Sequence, residues 1–227
     1  MPSTTRRMCD IIIALVMMVF FGIAIVLFGI PLYRENRSVL FWQERAVSVS
    51  PSGECEYITA TILKLSSMPY GTGGPRWKDR VKDARSDPRI GPWSRFVRET
   101  HLDELGQWHA LLMGHVTFIG PRAVTPELAE YYKKEVPNYK ERWQLLSGVI
   151  GYAQLFGPEC TLQEGPATQL ALDKYYIEHR SLMLDVKIIA QTTWVVMRSF
   201  TGCRTWQPRL PADLYYQNQG LRQQEAA

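Results

Sequence analysis

IIIALVMMVFFGIAIVLFGIPLY, residues 11–33, contains no charged side chain. As a helix it would reach roughly 35 Å at about 1.5 Å per residue, enough to cross a hydrocarbon core of about 30 Å. The run therefore reads as a membrane segment, and the rest of the chain must fold beside it. Arg6, Arg7 and Asp10 precede it; Arg34, Glu35, Arg37, Glu44 and Arg45 follow. Basic residues at both ends split the positive-inside vote, and the extra arginines after residue 33 favour a cytoplasmic body. No small-residue cleavage site follows the run, so a retained anchor is expected rather than a removable signal. A break at Gly22 would let the chain enter and leave on one face, whereas a straight helix kinked late at Pro31 would span. Both courses stay open at this level.

The chain of 227 residues has room for one modest domain besides this segment. With 46% hydrophobic and 21% charged residues it has the makings of a packed core. The net charge of +4 suits a protein near anionic lipid or phosphates, and is too weak to imply nucleic acid, which is not expected as a partner. Seven tryptophans suit a membrane–water interface. Cys9, Cys55, Cys160 and Cys203 form no C-x-x-C pair, which fits a reducing compartment without disulfides or a zinc site.

Beyond the run, residues 36–68 alternate well enough for short strands. Residues 69–92 are polar and rich in Gly and Pro and read as a long loop; Gly71, Gly73 and Gly74 lack the G-K-[ST] ending of a P-loop. Residues 93–114 carry apolar positions at three- and four-residue steps and read as a helix ending at Gly114. VTFIGPR (116–122) reads as a strand entering a turn, and 126–146 as a second helix with Thr125 as N-cap and Pro126 at N1. GVIGYAQLFG (148–157) reads as irregular. Residues 164–180 and 185–200 read as two more helices, the last facing either a core or a membrane interface. The polar tail after residue 201 closes the chain. The fold class is helix-rich α/β (α+β): a small domain with an N-terminal membrane-embedded helix and interfacial amphipathic helices. The divisions are 1–35 for the anchor, 36–200 for the main domain and 201–227 for the tail.

Arg95, Arg98, Asp103 and Glu104 fall within ten residues. Two carboxylates beside arginines suit phosphate chemistry: one can attack phosphorus or hold Mg²⁺, while arginine neutralises phosphoryl oxygens. Adjacent acids are also common on solvated helix faces, so spacing alone does not decide between the two. Arg122, after Gly120-Pro121, stands on a short fixed stalk suited to bidentate phosphate binding, or is a turn arginine on the surface. The four histidines show no metal-binding spacing, and no G-x-S-x-G elbow is present.

Taken in order, several segments resemble one family, the bacterial sugar transferases, also called monotopic phosphoglycosyl transferases. The resemblance covers residues 8 to 200. Asp10 opens the apolar run, and FWQER follows with Gln43 and Arg45 at a Gln-x-Arg motif. KLSSM (64–68), DPRI (87–90), RFVRETHLDELGQW (95–108) and GHVTFIGPR (114–122) come next. Arg142, SGVIGYAQLFG (147–157) and LDKYYIEHRSLMLDVKII (172–189) complete the series.

The resemblance implies that Asp103 attacks the sugar-bearing phosphate of a UDP-sugar, that UMP leaves, and that a polyprenol phosphate then takes the phosphosugar. It implies Mg²⁺ held by Asp103 or Glu104, and phosphates contacted by Lys64, Arg98, Arg122 and Arg142. The implied partners are the UDP-sugar donor, the polyprenol phosphate acceptor, membrane lipid and other glycan-assembly enzymes; the implied place is the cytoplasmic face of a bacterial inner membrane. The chain departs from the family pattern at Gly22-Ile23 for Ser-Pro, and at Ser66, Gly106, His115, Ala123, Ser147, Ile150, Tyr152 and Pro158. These departures also fit a second role, a catalytically weakened membrane scaffold of a glycan assembly complex. A third reading is an unrelated membrane-anchored phosphate binder.

Overall fold

A computed structural model describes residues 4–48, 57–69, 88–156 and 165–200. The Gly cluster at 71–74, Cys55, Cys160, Cys203, Pro158 and the tail after 201 lie outside the described residues. The chain is a helix-rich mixture of α and β elements. Helix α1 (Thr4–Asn36) leads into strands β1 (Leu40–Ser48) and β2 (Tyr57–Leu65). Helices α2 (Pro92–Glu99) and α3 (Trp108–Met113) follow, then strand β3 (Thr117–Ile119) and helix α4 (Pro126–Glu135). Strand β4 (Gly148–Ile150), α5 (Gly165–His179) and α6 (Leu182–Phe200) complete it.

Helix α1 is continuous through both Gly22 and Pro31. It is long and apolar enough to cross a membrane. Yet one stripe of it is buried against the rest of the chain: Asp10, Ala14, Met17, Phe21, Ala24, Leu32 and Asn36 recur at helical spacing. Ala14 and Met17 join a core with Val47, Ile62, Leu111, Val116 and Val149. Phe21, Ala24 and Leu32 join a second core with Leu63, Leu65 and Val97. Polar groups fix both ends. Arg7 donates to the carbonyls of Leu111 and Leu112, which end α3. Asp10 accepts from Thr117 Oγ1 and the Phe118 amide. At the other end Glu35 accepts from the Trp93 and Ser94 amides, capping α2, and Asn36 donates to Ser66 O and Ser94 Oγ. The opposite face, including Ile12, Val19, Ile23, Val26 and Ile30, is exposed and apolar.

Strands β1 and β2 pair antiparallel, with Phe41 opposite Lys64, Gln43 opposite Ile62 and Arg45 opposite Ala60. Alternation places all six on one face of the hairpin. The structure corrects three sequence readings. Residues 93–114 are not one helix: α2 stops at Glu99, His101 takes a left-handed φ of 58°, and a 3₁₀ turn over Leu102–Gln107 precedes α3. Likewise 126–146 divides into α4 and a 3₁₀ turn over Tyr139–Gln144, separated at Asn138 with φ 60°. In both cases the apolar period continues through a backbone reversal that periodicity does not register. Finally, 148–150 is a strand, parallel to β3. The apolar stripe of α6 is turned outward: Leu182, Met183, Val186, Trp194 and Met197 are exposed, while Asp185 and Ile188 are buried.

Candidate active site

The 3₁₀ turn after His101 carries both acids in its first residues. Two residues after Glu104, Gly106 lies flush on β2, where a Cβ would come within 2.4 Å of the Leu63 carbonyl oxygen. This approach brings the acids to the hairpin face that holds Lys64. Lys64 Nζ is 3.1 Å from Glu104 Oε1 and 3.8 Å from Asp103 Oδ2. Gly106→Ala is therefore expected to push the turn off β2, lowering turnover at least about tenfold, since small displacements of reacting groups are costly. Steady-state kinetics beside a melting curve would check it; unchanged kinetics would mean that the turn adapts.

The second wall comes from the turn after β3. Gly148 stands so close to this turn that a Cβ on it would lie 2.1 Å from the Gly120 nitrogen. Only glycine fits, and the approach lets the Gly148 amide donate to Pro121 O at 2.9 Å. Arg122, next along the turn, places Nη2 2.5 Å from Glu104 Oε1. Arg45 and Gln107 complete a small cleft lined also by Ile62, Lys64, Ala123 and Val149. Arg45 donates to Ala123 O at 3.2 Å and Gln107 to Glu104 Oε2. Three cationic side chains (Arg45, Lys64, Arg122) thus face two carboxylates, a surplus of positive charge in a small cleft. Such a surplus attracts an anion.

The two acids are held differently. Burial works against the charge on Glu104, but Arg122 and Lys64 outweigh it and hold its carboxyl well below the usual range. Burial pushes Asp103 up; Lys64 opposes that and the neighbouring Glu104 carboxylate reinforces it. Glu104 is saturated by Lys64, Arg122 and Gln107. The only ion pair of Asp103 among the described residues is the longer one to Lys64.

Four of the six residues expected at the site, Lys64, Asp103, Glu104 and Arg122, meet in this cleft. Arg98 lies on α2 and donates Nε to Ser67 Oγ at 2.8 Å. Arg142 is only 1% exposed. It spends its guanidinium on Asp173 (3.0 and 2.8 Å), the Tyr139 hydroxyl and the Arg122 carbonyl (2.8 Å). Its reach to the site runs through the Arg122 backbone. Gln107 was not singled out by the sequence reading and Arg45 only as part of a motif; the β1 alternation that aligns Arg45 with Gln43 is the signal for the latter. No cluster of three or more metal-binding side chains occurs among the described residues.

The family described as bacterial sugar transferase matches residues 1–199. The UDP-glucose:undecaprenyl-phosphate glucose-1-phosphate transferase of Caulobacter vibrioides is 29% identical over 194 residues, 82% of this chain and 67% of that protein. The enzyme of the same name from Escherichia coli is 31% identical over 112 residues, 48% of this chain and 24% of its own length. The undecaprenyl-phosphate galactose phosphotransferase of Salmonella typhimurium is 31% identical over 122 residues, 54% of this chain and 24% of that protein. The chain thus spans about a quarter of the length of the latter two relatives. With the match running from α1 into α6, this chain belongs to the bacterial sugar transferase family.

Proposed function

We propose that the protein transfers a phosphosugar from a UDP-sugar to a polyprenol phosphate at a membrane surface. The observation that carries this reading is the unequal engagement of the two acids. Glu104 is locked between Lys64 and Arg122, whereas Asp103 keeps carboxylate oxygens without a hydrogen-bond partner among the described residues. An Asp103 oxygen attacks the sugar-bearing phosphorus. The phosphorus–oxygen bond to the uridine-linked phosphate breaks and UMP leaves with the electron pair. The phosphosugar stays on the carboxylate as an acyl phosphate. A phosphate oxygen of the polyprenol phosphate then attacks the same phosphorus and returns Asp103 as carboxylate. Lys64 and Arg122 contact the phosphate oxygens, Arg98 approaches from α2, and Arg142 acts by holding Arg122.

The cleft fits a magnesium ion of the kind that takes one or two carboxylates and completes its shell with substrate phosphates and water. Asp103, with its spare oxygens, is the residue to hold it, with Glu104 beside it. Bound there, Mg²⁺ would offset the diphosphate charge.

The same reading places α1 in the membrane from one side. Arg7 and Asp10 near one end and Glu35 and Asn36 at the other all bond to the same folded body. A helix whose ends lie on opposite sides of a bilayer could not keep both sets. The exposed apolar faces of α1 and α6 are then the surfaces that meet lipid, on the cytoplasmic side of the inner membrane. Single cysteines at Ser3 and Ser38, in a background without native Cys, are expected to be labelled from the same side. Labelling from opposite sides would mean that α1 spans.

The activity is tested by UMP release from purified protein with Mg²⁺, polyprenol phosphate and a donor panel including UDP-glucose and UDP-galactose. Turnover that needs the lipid is expected. Folded protein in native-like lipid that releases no UMP with any donor would favour the scaffold role, as would unchanged glycan assembly in cells carrying Asp103→Asn.

A further inference from the structure

His109, in the first turn of α3, has a backbone carbonyl at each ring nitrogen. Nδ1 is 3.0 Å from Gly106 O and Nε2 is 3.0 Å from Thr61 O. A carbonyl oxygen can only accept, so each contact needs an N–H on the nitrogen that faces it. A neutral imidazole carries one N–H; the cationic ring carries two. The geometry with both bonds made is therefore that of the imidazolium. The neutral ring would set a lone pair against one of the carbonyls.

The two acceptors belong to the two halves of the site. Gly106 lies in the turn that carries Asp103 and Glu104. Thr61 lies on β2, three residues before Lys64. Thr61 presents its carbonyl on the strand edge away from β1, an edge that the ring covers. The Trp42 ring stands edge-on to His109, with centroids 5.4 Å apart, and limits its tilt. His109 does not line the cleft, so it has no direct part in chemistry there.

We propose that His109 is a positioning residue: its cationic ring clips the turn of the two acids onto β2 and so sets their spacing from Lys64. The charged groups on the elements around it are Glu44 and Arg45 on β1, Lys64 on β2, Asp103 and Glu104 on the turn, and Arg7 of α1 at the far end of α3. Among the described residues none of them forms an ion pair with the ring. The clip thus depends on the two carbonyls and not on a carboxylate partner.

The effect on catalysis rests on the transferase reading above, and the test separates the two. Ring nitrogen NMR of the full chain in lipid nanodiscs is recorded across about pH 5 to 8, the range in which imidazoles change charge. The His109 signals are assigned by their loss in His109→Gln. Two ring N–H protons protected from exchange are expected. His109→Gln should lower kcat about tenfold with donor KM within about twofold, as a small misplacement of reacting groups does. A His109 ring with one nitrogen unprotonated at every pH overturns the clip whatever the variant does, including failure to fold. Unchanged kcat in His109→Gln also overturns it, and leaves the transferase standing. Two protected N–H protons in a wild-type protein that releases no UMP would support the clip and sink the transferase.

Discussion

Asp103→Asn is expected to lose UMP release by about a thousandfold or more, the scale of removing a covalent nucleophile. The side chain keeps its size, so the turn and its contact with β2 through Gly106 persist. What disappears is the anionic oxygen that bonds to phosphorus in the proposed reaction. Glu104 is a poor substitute because Lys64, Arg122 and Gln107 already occupy its oxygens. The matched variant Glu104→Gln should behave differently. It frees Lys64 and Arg122 from their common partner, loosens the cleft and leaves the Asp103 oxygen in place. A single-turnover experiment with donor alone discriminates: wild type releases UMP once per protein without any lipid acceptor, and Asp103→Asn releases none. Equal single-turnover release from wild type and Asp103→Asn would rule out the aspartyl intermediate and point to direct attack by the lipid phosphate.

The long apolar helix and the acid pair were legible in the sequence because each is local. A charge-free run and two adjacent acids need no third dimension. The docking of α1 was not legible, since Ala14, Met17 and Phe21 on its buried stripe are as apolar as Val19 and Val26 on its open face. Only its polar ends could have told the difference. Arg7, Asp10, Glu35 and Asn36 are costly in hydrocarbon, and a domain that hydrogen-bonds each of them is the alternative. The left-handed residues His101 and Asn138 hid for another reason. Neither is glycine, so nothing in the apolar rhythm marks them as breaks. Among the arginines, order along the chain brought Arg122 to the cleft and mistook the reach of Arg142. The residues that bury Arg142, Tyr139 and Asp173, lie 3 and 31 positions away. Such a long-range pairing has no signature in one sequence.

That buried pair carries the second large effect. Arg142→Met should destabilise the fold by about 3–5 kcal/mol, the scale for leaving one partner of a buried ion pair alone. A fall in melting temperature of about 10 °C or more would accompany it. Asp173 would then sit 1% exposed with no cation. The Arg122 carbonyl would lose its 2.8 Å donor as well, so activity should fall even at temperatures where the variant is folded. Arg142→Met with Asp173→Leu removes both charges and should recover much of the lost stability without recovering activity, because the Arg122 carbonyl still lacks its partner. The pH dependence supplies an independent check. Burial pushes the Asp173 carboxyl up to about 6 against the pull of Arg142. The folded protein then holds a proton that the unfolded chain, with an ordinary carboxyl near about 4, has already released. Stability from this group is full below about pH 4 and is lost as pH rises toward 6. Asp173→Asn should erase that slope in denaturation measured across the interval. A slope that survives in Asp173→Asn would assign it to other groups, and a double variant as unstable as Arg142→Met would mean that shape, rather than the orphaned charge, is what the core cannot lose.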